Sequence, residues 1–101
     1  MDMEATVMEL IINAGESRSL AMQALQAARK GVWQDVDRLM QDAAKRAHDV
    51  QTMLIGMDEG CGKVPVNLIL VHAQDHIMTS MLARELIAEL IEVQRQLQHR
   101  N

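Results

Sequence analysis

The chain has 101 residues with 14 acidic and 10 basic side chains, a net charge of −4 that argues against a nucleic-acid partner, since phosphate binding needs a basic surface. Apolar residues make up 49%, too many for a disordered chain; nine Met, one Trp and no Phe or Tyr leave a core that must pack along helical seams. No apolar run approaches 18 residues, the start Met1-Asp2-Met3-Glu4 lacks the basic and apolar regions of a signal peptide, and the lone Cys61 cannot form an intrachain disulfide, so the expectation is one cytoplasmic domain over residues 1–101.

Gly31 and the stretch Gly56 to Pro65 divide the chain into three segments with helical periodicity. In the first, Val7, Ile11, Ala14, Ala21, Leu25 and Ala28 repeat at four-three spacing. Thr6 and Glu9 form a capping-box pattern at its start. Arg29 and Lys30 suit its negative end, and Gly31 suits the position after it. In the second, Val36, Met40, Ala43, Ala47, Val50, Leu54 and Met57 keep the same spacing, the pattern of a bundle seam. Asp58 to Val64 reads as a flexible loop, and Pro65 fits the first turn of a third helix running to about Gln98, roughly 50 Å long.

The third helix carries two apolar faces. Val66, Leu70, Ala73, Ile77, Met81, Ala88 and Ile91 form one; Leu68, Leu86, Leu90, Val93 and Leu97 form another, roughly 120–180° away. An antiparallel up-down-up three-helix bundle buries one broad stripe per helix, so the second face calls for a partner, most simply other copies of this chain.

The chemistry is concentrated at residues 71–80, Val-His-Ala-Gln-Asp-His-Ile-Met-Thr-Ser. On a helix His72 and His76 lie one turn apart, and with Asp75 and Thr79 they fall on the second face, above Leu86 and Leu90. A neutral imidazole nitrogen can attack phosphorus and hold a phosphoryl group, and imidazole titrates near neutrality, which makes His72 the chemical candidate. His76 is placed to hydrogen-bond a phosphoryl oxygen; the pair also supplies two ligands of a metal site, or is plain surface polarity. If the second face lines a symmetry axis, Asp75 meets its own copies and must share protons or bind a cation such as a divalent ion with oxygen ligands; otherwise it is a solvated residue near the helix start.

Level with His72 on the parallel first helix lies the small, polar run Asn13-Ala14-Gly15-Glu16-Ser17-Arg18-Ser19. Gly15 costs about 1 kcal/mol of helix stability against Ala, which opens a gap there or allows tight packing. Arg18 can pair with a carboxylate or phosphate or reach to solvent, and His48 and Gln51 of the second helix fall near the same level. Gly60-Cys61-Gly62-Lys63 lacks the spacing of a phosphate-binding loop.

The run His72-Ala73-Gln74-Asp75-His76 closely resembles the signature of lactose/cellobiose-type enzyme IIA proteins of the phosphoenolpyruvate-dependent sugar phosphotransferase system. Ile12 to Ser19, Ala24 to Gly31, Gln51 to Ile55 and Leu82 to Ile87 extend the likeness over nearly the whole chain, with Trp33, Ser17 and Cys61 as departures. The resemblance implies a phosphotransferase component forming a homotrimer. In it His72 takes phosphate from the phosphocarrier protein HPr and passes it to a cysteine of enzyme IIB, for sugar uptake through the membrane enzyme IIC. It also implies active-site roles for His76 and Gln74, and a Mg2+ ion held by Asp75 on the trimer axis. Gln74 points about 160° away from His76 on an ideal helix, so within the implied trimer it could reach the His72 of a neighbouring subunit more easily than its own. The sugar, of lactose, cellobiose or chitobiose type, is bound by another component and is not written in this chain. The rival readings are a helical adaptor or regulatory oligomer with incidental histidines, and a phosphorelay domain of two-component signalling.

Overall fold

In the computed structural model, which describes residues 3–61 and 68–99 and the side chains of 5–53 and 71–99, three helices follow one another: α1 (Met3–Lys30), α2 (Trp33–Cys61) and α3 (Leu68–His99). They form an antiparallel up-down-up bundle 55 Å long and about 20 Å across. α1 packs along both other helices, which barely touch each other.

The α1–α2 turn forms as its sequence requires. Gly31 takes φ +78°, a region in which a Cβ is strained. Its amide donates to the Ala28 carbonyl and that of Val32 to the Ala27 carbonyl, so two of the free carbonyls at the end of α1 are satisfied. The Val32 carbonyl then accepts from the Asp35 amide to start α2, where Asp35 places a negative charge in the first turn.

Two apolar clusters fill the bundle. One holds Val7, Leu10, Ala14, Val50, Ala73 and Ile77. The other holds Ala21, Ala24, Ala28, Val36, Leu39, Ala43, Ile87 and Ile91. Between them lies a polar layer. Ser17 is buried and donates to the Ala43 carbonyl at 2.8 Å, tying α1 to α2, and Ser80 is buried on α3. A void of about 30 Å³ beside these serines is lined by Ala14, Ala47, Gln51 and Met81.

The far end of the bundle is fastened by side chains. Trp33 donates from its indole nitrogen to Gln98 Oε1 at 2.7 Å, and Gln98 donates on to the Ala28 carbonyl at 3.3 Å. The Arg95 guanidinium lies 4.4 Å over the Trp33 ring and 3.6 Å from Asp37.

Several expectations need correction. α1 begins at Met3, so Thr6 lies inside the helix and is not its cap. The segment read as a loop from Asp58 is helical to Cys61, because Gly56 and Gly60 weaken a helix without breaking it. The remainder of that loop and Pro65 lie outside the described residues. Ala88 is exposed, and Ile87 takes the buried position. The seam of α3 therefore runs Ala73, Ile77, Ser80, Arg84, Ile87, Ile91, four-three spacing carried through two polar residues.

Candidate functional site

The seam of α3 fixes where every other residue of that helix points. At 100° per residue, Val71, Asp75, Met78, Leu82, Leu86, Leu90, Val93 and Leu97 fall on an arc facing away from the seam. The seven apolar members are 49–64% exposed, and Asp75 is exposed among them. This is the second face expected from the sequence: an apolar stripe along α3 with one carboxylate in it. Contiguous apolar surface of this kind marks an interaction site.

His72 is exposed at the edge of that stripe. His76, one turn on, is rotated further toward the core and is half-buried against α1. Their rings lie nearly parallel, 6.4 Å between centroids and 22° between planes. Thr79 follows on the same side, its hydroxyl donating to the carbonyls of Asp75 and His76 at 3.0 and 3.1 Å. Such bonding back to the preceding turn leaves the helix continuous under the two rings. Gln74 is exposed on the opposite side of α3 and does not join the pair within its own chain.

The small residues of α1 divide between two directions. Asn13 faces α2: its side-chain oxygen accepts from Arg46 at 3.2 Å and its Nδ2 lies 3.8 Å from the Met53 sulfur. Glu16 pairs with the same arginine at 3.0 Å. Ser17 is spent on the Ala43 carbonyl. Gly15 faces the histidine pair, and it stands opposite His76 rather than His72: a Cβ built on Gly15 would lie 3.4 Å from His76 Nε2. The expected level on α1 is thus off by one turn, because the axial offset between parallel helices is set by side-chain volumes that counting does not weigh. Arg18 is exposed, without an ion pair among the described residues. His48 is exposed on α2 with no ring contact to the pair, and Gln51 lines the small void near Ser80.

Within one chain, the described residues contain no group of three His, Cys, Asp or Glu placed to hold a metal ion. Asp75 supplies a single hard oxygen donor, so a divalent ion fits only where carboxylates from several copies meet. What one chain offers is an exposed imidazole with a second imidazole fixed beside it, on an open helical face suited to contact with another protein. That arrangement fits group transfer at a nitrogen nucleophile.

Comparison with known proteins points the same way. The family model described as "PTS system, Lactose/Cellobiose specific IIA subunit" matches residues 5–95. The N,N'-diacetylchitobiose-specific EIIA component of Escherichia coli strain K12 is 54% identical over 99 residues, which cover 95% of this chain and 85% of that protein. Among solved structures, the IIA(chitobiose)–HPr complex of Escherichia coli superposes with a TM-score of 0.86 at 44% identity, covering 97% of this chain and 98% of that one. The cellobiose-specific enzyme IIA of Bacillus anthracis gives a TM-score of 0.86 at 35% identity, covering 100% and 95%.

Proposed function

The chain belongs to the lactose/cellobiose-specific IIA family of sugar phosphotransferase systems, and on that premise we propose that it carries the phosphoryl group on His72. The observation that carries this reading is the exposure of His72 beside the nearly parallel, half-buried His76. The related E. coli protein of known structure is seen in complex with HPr, which supports HPr as the donor here.

The transfer is a displacement at phosphorus. A lone pair on a His72 ring nitrogen attacks the phosphorus of the donor's phosphohistidine. A new N–P bond forms as the donor's N–P bond breaks, and the donor imidazole leaves with the electron pair. The next step repeats this with a cysteine thiolate of enzyme IIB, so that an S–P bond forms and the His72 N–P bond breaks. Positioning and charge neutralisation supply most of the rate in such reactions. His76 contributes by holding a ring N–H beside the transferred oxygens. The exposed face suits a reaction between two protein surfaces, and none of the described helices is long and apolar enough to cross a membrane, so the membrane enzyme IIC is served through enzyme IIB. The cytoplasm is the compartment this relay requires. The sugar is a β-linked disaccharide; the diacetylchitobiose-specific relative supports the chitobiose type within that class.

The apolar stripe of α3 supports assembly of three copies through this helix. In that assembly Asp75 from each copy meets at the axis and would hold a magnesium ion, which supplies charge neutralisation there. Gln74, turned away from its own His72, belongs to the site of a neighbouring copy.

The test is phosphorylation by HPr and its upstream enzyme, followed by mapping of the modified residue. Acid-labile phosphate on His72, lost in His72→Ala with folding intact, is the expected result. Label persisting in His72→Ala rules out this residue as acceptor, and absence of label on the wild-type protein favours the adaptor reading.

A further inference from the structure

Gly15 sits in the middle of the 28-residue helix α1, where glycine is costly and alanine is not. Packing does not explain it. Among the described residues a Cβ at this position would meet one atom within 4 Å, His76 Nε2 at 3.4 Å, the close limit of ordinary van der Waals contact. Alanine therefore fits, and it would favour the helix. What alanine would change is the surroundings of that nitrogen, since its methyl group would lie against the Nε2 edge of His76. Neither ring nitrogen of His76 has a hydrogen-bond partner among the described residues, and neither is buried without one, so the edge stays free to take a partner.

Resting on the reading of His72 as phosphoryl acceptor, we infer that Gly15 is a positioning residue for the transfer. It keeps the Nε2 edge of His76 uncovered, so that this nitrogen turns toward and donates to the phosphoryl group carried one helical turn away. The glycine gives up fold stability for access at one atom.

The experiment is Gly15→Ala, alone and combined with His76→Ala, in the full-length chain. The single variant gains about 4–8 °C in melting temperature, as an interior glycine-to-alanine change does in a domain this small. Its phosphorylation by phospho-HPr slows by about tenfold or more, and the Nε2 nitrogen resonance of His76 shifts. In the His76→Ala background, Gly15→Ala has no further effect on the rate, because the atom it covers is gone. The inference is overturned if the wild-type chain is labelled on His72 and Gly15→Ala is labelled equally fast. It is also overturned if the variant is slow but melts earlier, or if it slows transfer equally without His76. A wild-type chain that takes no label on His72 is a different result, which removes the phosphocarrier reading itself.

Discussion

Leu86→Glu tests whether the exposed face of α3 is covered in the working protein. Leu86 is 55% exposed in the single chain, near the middle of the stripe, with Leu82 and Leu90 one turn to either side at 56% and 52%. Burying a whole leucine side chain is worth about 1.5–3 kcal/mol, so covering the remaining half gives about 1 kcal/mol per copy. Glutamate forfeits that and places an unpaired carboxylate in the contact, at an effective penalty of several kcal/mol. Repeated in three copies, the loss is on the order of 10 kcal/mol or more, comparable with the whole association energy of a micromolar to nanomolar complex. Sedimentation equilibrium at micromolar concentration should therefore show three chains in the wild type and one in the variant. A variant that keeps a three-chain mass and an unchanged melting temperature would place the contact elsewhere and leave the stripe without a role.

Asp75→Leu should raise the melting temperature of the assembly, because it replaces converging carboxylates with apolar contact, and should abolish any response to magnesium or EDTA in thermal unfolding. A lower melting temperature, or an unchanged magnesium response, refutes the axial placement of Asp75. Trp33→Ala removes the indole hydrogen bond to Gln98 and the stacking with Arg95, and should destabilise the chain by about 2 kcal/mol in denaturant titration. Trp33→Phe, which keeps a ring under Arg95, should recover part of that loss; no difference between the two would show that the hydrogen bond carries the whole effect.

The three helices were legible because periodicity and one glycine sufficed. Gly31 follows Arg29 and Lys30 at the end of an apolar repeat, and it adopts the positive φ that such a position requires. The end of α2 is not legible in the sequence, because Gly56 and Gly60 have the pattern of a break while each costs a helix only about 1 kcal/mol. On α3, counting apolar residues alone led from Met81 to Ala88. The true seam passes through Ser80 and Arg84, one small enough and the other long enough to sit within it, so the phase drifted by one residue. The histidine pair and the outward stripe followed from spacing on one helix. The partner of Gly15 did not, because it depends on how two helices slide past each other.

The two ends of the bundle are held differently. At the α1–α2 turn, Trp33, Gln98, Arg95 and Asp37 bind three helices through directional bonds, and halfway along Ser17 pins α1 to the backbone of α2. Around His76 the directional links, Arg46 to Asn13 and Glu16, join α1 to α2 only, and among the described residues α3 is held there by apolar contacts of Val7, Leu10, Val50, Ala73 and Ile77, with a bare glycine where a side chain would touch the ring. Directional bonds resist sliding, whereas greasy contacts tolerate small shifts. If His72 carries the phosphoryl group as proposed, a dianionic cargo would come and go at one end while the opposite end holds its shape, and every delivery would leave the carrier ready for the next.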